Sequence, residues 1–199
     1  MSEESDLNGA AHAHTHDASP APPVIVELVA ACTRFVAAKY KVPLDGTSDT
    51  LSLVDQYVRD ARAAVKARPE TVDLVAGACG AYLGEVVRQR FGGSWFADGE
   101  YAGFRLYLKH VYLAFNPLGM VAEALLEEDQ PGWHAHLEMD PADREEIEAR
   151  LAALGPVGEG DYFLPTMRFD VIEVAVEALR ARMEARGEGS VTFEPDDYD

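Results

Sequence analysis

The chain has 199 residues, of which 48% are hydrophobic and 26% are charged, and its formal net charge is −18. This apolar fraction suits one folded domain and excludes a chain that is disordered throughout. The negative charge disfavours binding to nucleic-acid phosphates and to anionic lipid, and it favours association with a protein that has a basic surface.

Both ends of the chain are acidic. Four acids lie in residues 1–22 and five in residues 188–199, with no Lys or Arg in either segment, so these nine acids carry half of the net charge of −18. We expect residues 1–22 to form a disordered leader, residues 23–187 a single globular domain and residues 188–199 a disordered tail. The leader lacks the basic and apolar regions of a secretory signal peptide, and charges interrupt every long apolar stretch. We therefore expect a cytoplasmic protein without a membrane span.

Three helices are predicted after the leader. The first begins near Pro23 and ends before Pro43, the second begins at Ser48 or Asp49, and the third runs from about residue 70 to Phe91, where Gly92-Gly93 stops it. Cys32 and Cys79 fall on the apolar faces of the first and third helices. We expect both to be free, buried thiols, with a disulfide between them as the alternative.

The hydrophobic period then changes to that of short strands. Residues 94–97, 103–108 and 110–115 are rich in aromatic and β-branched residues and predict an antiparallel meander. Asn116-Pro117 predicts a helix start, residues 133–139 form either a strand or an irregular segment, and two further helices follow at residues 140–155 and 166–186. The fold class predicted is α+β, a helix-rich single domain with a small antiparallel β-meander covered by helices.

Small residues share one side of the third helix: Gly77, Gly80, Ala81 and Gly84. We expect another backbone or an aromatic ring to approach this side closely, because three glycines otherwise cost roughly 1 kcal/mol each relative to alanine. The spacing of these glycines is not that of a phosphate-binding loop.

Glu85 lies on the same helix and has two interpretations. Arg88 lies one turn further on and can neutralise the carboxylate, which would make Glu85 structural. Alternatively, Glu85 is a functional acid in a cleft, together with Tyr82, Arg88, Trp95 or His110. Without a recognisable nucleophile motif elsewhere, the structural interpretation is favoured and no catalytic residue is assigned.

The third helix also carries a resemblance. Residues 81–85 (A-Y-L-G-E), residues 92–95 (G-G-S-W) and Asn116-Pro117 resemble a pattern in an uncharacterised bacterial domain-of-unknown-function family. The pattern pairs a helical A-Y-hydrophobic-G-E motif with a G-G-x-W turn and an N-P helix start. The resemblance covers about residues 50–128 and implies a fold without an established activity.

Two groups of histidines indicate weak metal binding as one alternative. His12, His14 and His16 alternate in the leader, and His134 and His136 would share one side of a strand with Glu138. No residue distant in sequence completes either group, so we predict no cofactor and assign no metal ligand.

Ten acids against one base lie between Glu123 and Glu148, and Trp133 lies within this segment. An aromatic residue surrounded by charge is typical of a protein-binding surface. The predicted partner-binding residues are Trp133, Glu138, Asp143, Glu145, Glu146 and Glu148. The leading hypothesis is a non-catalytic, acidic protein-binding domain that acts as an adaptor, assembly component or regulatory subunit. An immunity protein that neutralises a basic toxin is an alternative, as is an enzyme that uses Glu85.

Overall fold

The computed structural model describes residues 19–153, 155, 158 and 160–198. These residues form six α-helices and one four-stranded antiparallel sheet, which confirms the predicted helix-rich α+β domain. The elements, in chain order, are α1 (Pro23–Tyr40), α2 (Leu51–Ala67), α3 (Val72–Phe91), β1 (Gly93–Phe96), β2 (Arg105–Leu108), β3 (Leu113–Phe115), α4 (Pro117–Leu126), β4 (Glu138–Met139), α5 (Pro141–Ala153) and α6 (Pro165–Arg186). Within the described part of the chain, every helix is too short or too polar to cross a bilayer.

Helix α3 lies at the centre of the domain. It is buried almost without interruption from Val75 to Arg88, and it packs against α1, α4 and the first two strands. One hydrophobic core joins its apolar side chains to those of all the other helices and of the sheet. A helix enclosed in this way has no wide polar face, which explains why its residues from Val75 to Gly84 are apolar or small around the whole circumference.

The glycine side of α3 permits the close contacts that the sequence predicted. A Cβ added at Gly80 would clash with the backbone of Leu118 and would lie 2.7 Å from the carbonyl oxygen of Pro117, both in α4. A Cβ at Gly84 would overlap the indole ring of Trp95, and one at Gly77 would lie 2.8 Å from the ring of Tyr101. The prediction that another backbone and aromatic rings pack on this side is therefore confirmed.

The sheet follows the chain in the order β1-β2-β3-β4. Trp95 of β1 is paired with Leu106 of β2, so the strand places the indole ring against α3. At the end of β3, the Asn116 side chain accepts hydrogen bonds from the backbone N–H groups of Leu118 and Gly119, and Pro117 occupies the first turn of α4. The predicted Asn-Pro helix start is confirmed.

Residues 133–139 are mostly irregular. Only Glu138 and Met139 form a strand, β4, and His134 has a left-handed backbone with φ of 50°. Of the two alternatives left open by the sequence, the irregular segment therefore describes all but the last two residues.

The tail beyond α6 differs from the prediction. The Tyr198 hydroxyl accepts a hydrogen bond from the Leu113 N–H and lies 3.0 Å from the Leu108 carbonyl oxygen, while its ring stacks on Tyr112. The Phe193 N–H donates to the carbonyl oxygen of Lys109. The prediction of a disordered tail is therefore wrong for residues 188–198, because two aromatic side chains hold the segment against the β2–β3 turn. The predicted leader lies outside the described residues up to residue 18.

We expect Gly80→Ala to destabilise the domain. Alanine gains about 1 kcal/mol in helix propensity over glycine, but forcing a methyl group into the α4 backbone costs about 3 kcal/mol, so the free energy of unfolding should fall by about 2 kcal/mol. Urea denaturation measures this change. Gly103→Ala is the matched control, because its added Cβ meets only one atom, at 3.9 Å. Equal stabilities of the two variants would contradict the close contact between α3 and α4.

We expect Tyr198→Phe to lower the free energy of unfolding by about 2 kcal/mol, because it leaves the Leu113 N–H without its acceptor. Tyr162→Phe is the control, since the Tyr162 side chain is exposed and should tolerate the change within about 0.5 kcal/mol. Thermal denaturation followed by circular dichroism compares them. Equal melting temperatures for Tyr198→Phe and the wild type would show that the tail does not hold to the sheet.

Candidate functional site

The Glu85 carboxylate is fully engaged by its neighbours. Arg88 donates from Nε to Oε1 over 2.7 Å and from Nη2 to Oε2 over 2.8 Å, and the Trp95 indole N–H donates to Oε1 over 2.7 Å. The side chains of Glu85 and Arg88 are about nine-tenths buried, at 11% and 10% exposure. A bidentate, buried pair of this kind fixes both groups. The structure therefore supports the structural interpretation of Glu85 over the catalytic one.

Arg88 also reaches the segment before α1. Its Nη1 donates to the carbonyl oxygen of Ser19 over 2.6 Å, so the guanidinium group joins this segment to α3. Trp95 completes the cluster by covering Gly84, the residue next to Glu85. The A-Y-L-G-E, G-G-S-W and N-P residues thus meet in space, where they form one packing unit between α3, β1 and α4.

Tyr82 faces a different set of groups. Its hydroxyl accepts a hydrogen bond from the Gly46 N–H over 2.9 Å and lies 2.7 Å from the Thr50 hydroxyl oxygen. Burial raises the pKa of Tyr82, while its hydrogen bonds oppose that effect. The phenol therefore stays protonated at neutral pH, and its hydroxyl holds the α1–α2 connection through hydrogen bonds with Gly46 and Thr50.

A small cavity of about 190 Å³ lies beside these residues and is lined by Tyr82, Glu85, Gln89 and apolar side chains of α1. His110, one of the residues that the sequence suggested could act with Glu85, lies in the β2–β3 turn and is not among the lining residues. Because the carboxylate in this cavity is held by Arg88 and Trp95, the cavity has no free acid for proton transfer.

The predicted acidic surface separates into inward and outward acids. Asp143 is buried and forms ion pairs with Arg182 (Nε to Oδ1, 2.6 Å) and with Arg186 (Nη2 to Oδ1, 2.9 Å) of α6. Glu146 accepts from Arg150 and from Arg182, and the bond from Arg150 is the main cause that lowers the pKa of Glu146. Asp143 and Glu146 thus attach α5 to α6, so their role in the structure is to stabilise the fold.

Glu145 and Glu148 occupy the opposite side of α5. Both are exposed, and neither forms an ion pair or hydrogen bond with any residue that the structure describes. Glu138, on β4, is exposed as well. Of the six predicted partner-binding residues, these three acids remain free to meet a partner.

Trp133 does not have the exposed position expected of an interface anchor. It is partly buried and packs against the main hydrophobic core and against a smaller apolar cluster that contains Phe104 and Leu118. Its backbone lies directly over Gly119 of α4, where an added Cβ would come within 2.7 Å of the Trp133 carbonyl oxygen. The acids before and after it in the sequence suggested a surface residue. The signal that could have corrected this is Gly119, a small residue in the first turn of an apolar helix.

The histidines have separate outcomes. His12, His14 and His16 lie outside the described residues. His134 and His136 are both exposed. Among the described residues, His136 belongs to a group of three potential metal ligands with Glu123 and Asp129, and His134 is not part of that group. Glu123 and Asp129 were not assigned as candidate ligands from the sequence, because their spacing from His136 matches no ligand motif. Cys32 and Cys79 are free and buried, with the two sulfur atoms 3.9 Å apart, which confirms the thiol prediction.

Comparison with protein-family models, with curated proteins and with solved structures gives no significant match. The resemblance to a bacterial family of unknown function therefore stays a prediction.

We expect Glu85→Gln to lower the free energy of unfolding by about 3 kcal/mol, because it leaves the buried Arg88 charge without its counter-ion. Chemical denaturation measures the change. Glu70→Gln makes the same chemical substitution at an exposed position and should alter stability by no more than about 0.5 kcal/mol. If Glu85→Gln were as stable as the wild type, the structural role of Glu85 would be refuted and a functional role would regain support.

Proposed function

We propose that the protein is a non-catalytic, acidic protein-binding domain whose partner has a basic surface. The observation that carries this proposal is the division of acids on α5. Asp143 and Glu146 take up arginines of the domain itself, while Glu145 and Glu148 stay exposed without an ion pair in the described part of the chain.

The outward acids favour a cationic partner for a physical reason. Arg150, Arg182 and Arg186 point to Asp143 and Glu146 and so do not offset the outward acids. Arg144, also on α5, is exposed and lies four residues before Glu148, so it can offset one of the two outward charges, and a net negative field remains. Such a field accelerates association with a basic surface and disfavours an acidic one.

A cleft at the N-terminal end of α5 supports the same partner chemistry. It has a volume of about 520 Å³ and is lined by Asp140, Asp143, Glu188 and the rings of Tyr112 and Phe193, with Arg186 at one side. Asp143 is already held by Arg182 and Arg186, but Asp140 and Glu188 are exposed carboxylates beside aromatic residues. They suit a lysine or arginine side chain, because the cation can pair with an acid and lie over a ring.

We expect the double variant E145K/E148K to lose binding to basic peptides. A random peptide library selected on the full-length wild type should yield Lys- and Arg-rich sequences, and their affinity should fall steeply as salt concentration rises. Fluorescence anisotropy with the selected peptides should show binding at least tenfold weaker for E145K/E148K, whose fold is checked by circular dichroism.

The matched control is E27K/E70K, which changes the net charge by the same amount at exposed positions on α1 and before α3. This variant should keep nearly the wild-type affinity. An equal loss of binding in both variants would show attraction by net charge alone, and selected peptides without excess basic residues would contradict the proposed partner class.

A further inference from the structure

Three potential metal ligands from separate segments converge beside α4. Glu123 lies in α4, Asp129 in the loop after it, and His136 in the segment that leads to β4. One ligand atom of each residue lies within 4.8 Å of the ligand atoms of the other two. Ligands that share a metal ion at about 2.1 Å lie roughly 3–4 Å apart, so the exposed Asp129 and His136 side chains would have to rotate to bring the three ligand atoms into range.

The buried member of the group is already oriented. Glu123 is 1% exposed, its Oε2 accepts from Arg168 and its Oε1 accepts from the Gln130 N–H. A carboxylate oxygen accepts two hydrogen bonds or ligands, so these contacts leave room for a metal ion. Hydrogen bonds of this kind hold ligating carboxylates in place in metal sites.

His136 is the residue that separates this group from an ordinary acidic surface. Its imidazole has no hydrogen-bond or ion-pair partner among the described residues, although it lies next to two carboxylates. Imidazole nitrogen suits zinc and its neighbours in the first transition row, whereas calcium and magnesium prefer oxygen ligands throughout. The donor set therefore selects for a transition metal.

The charges around the group allow binding of moderate strength. Glu123 and Asp129 contribute two negative charges, and Arg168, which is bonded to Glu123, offsets one of them. Some attraction for a divalent cation remains, but less than in a site with two unpaired carboxylates.

We propose that Glu123, Asp129 and His136 form a site for a divalent first-row transition-metal ion such as Zn²⁺, with water in its remaining coordination positions. The ion would tie α4 to the segment that leads to β4 and α5. Because it binds the folded chain, it would also raise the melting temperature. The site uses none of the outward acids of α5, so it stands or falls independently of partner binding.

Isothermal titration calorimetry with Zn²⁺ alone tests the site in the full-length chain. The histidines of the leader would bind Zn²⁺ weakly on their own, so the measurements use the background variant H12A/H14A/H16A. In this background we expect one Zn²⁺ per chain and a higher melting temperature with Zn²⁺ than with Mg²⁺. His136→Ala and Asp129→Asn should each weaken Zn²⁺ binding roughly tenfold or more.

His134→Ala is the matched control, since it removes an exposed imidazole two residues away and should leave Zn²⁺ binding unchanged. All three substituted side chains are exposed, and circular dichroism checks that each variant keeps the fold, which matters most for His134→Ala because His134 has a left-handed backbone. Absence of Zn²⁺ binding in the background variant would overturn the proposal. Equal weakening by His134→Ala and His136→Ala would overturn it as well, because it would show a loose surface association of imidazoles.

Discussion

The close contact between α3 and α4 is the constraint on which the rest of the domain depends. Gly80 lets the two helix backbones meet, and Gly84 opens the space that the Trp95 ring fills. The contact between Gly84 and Trp95 fixes the position of β1 against α3, because Trp95 belongs to that strand. The α3–α4 contact also fixes the start of α4, where Asn116 supplies the cap and bonds to the carbonyl oxygen of Tyr101. The glycines lower the intrinsic helix propensity of α3, but they allow close packing that buries apolar surface. The stabilisation from this buried area is larger than the loss of helix propensity.

Buried charges then connect the outer elements to this centre. Glu85 and Arg88 join α3 to β1 and to the segment before α1, while Glu123 and Arg168 join α4 to α6. Asp143 is held by two arginines of α6. Each pair would be costly to break, because one partner would remain buried and charged. Arg88, Arg168, Arg182 and Arg186 are engaged in these internal pairs, so these four arginines do not offset the acids that remain outside. The strong negative charge of the chain is therefore concentrated at its surface, and this distribution is the basis for proposing a basic partner.

Much of the fold was predictable from local rules. The glycine side of α3 and the Asn116-Pro117 start follow from steric size and capping, which neighbouring residues in the sequence determine. Contacts between distant residues were not predictable in the same way. Tyr198 holds the tail to the sheet because its hydroxyl accepts a hydrogen bond from the Leu113 N–H. The acidic sequence around Tyr198 gives no sign of this contact. The convergence of Glu123 with His136 depends on the path of an irregular loop, whose left-handed turn at His134 has no glycine to mark it.

Native-state hydrogen exchange tests the central place of the α3–α4 contact most directly. If the contact organises the domain, backbone amides of α3 and α4 should exchange slowest, and only through global unfolding, so their opening free energy should equal the free energy of unfolding. Amides of α5 and of the tail should exchange through smaller openings, since ion pairs and a few rings hold them. Amides of α3 that exchange by local opening while α5 stays protected would contradict the account.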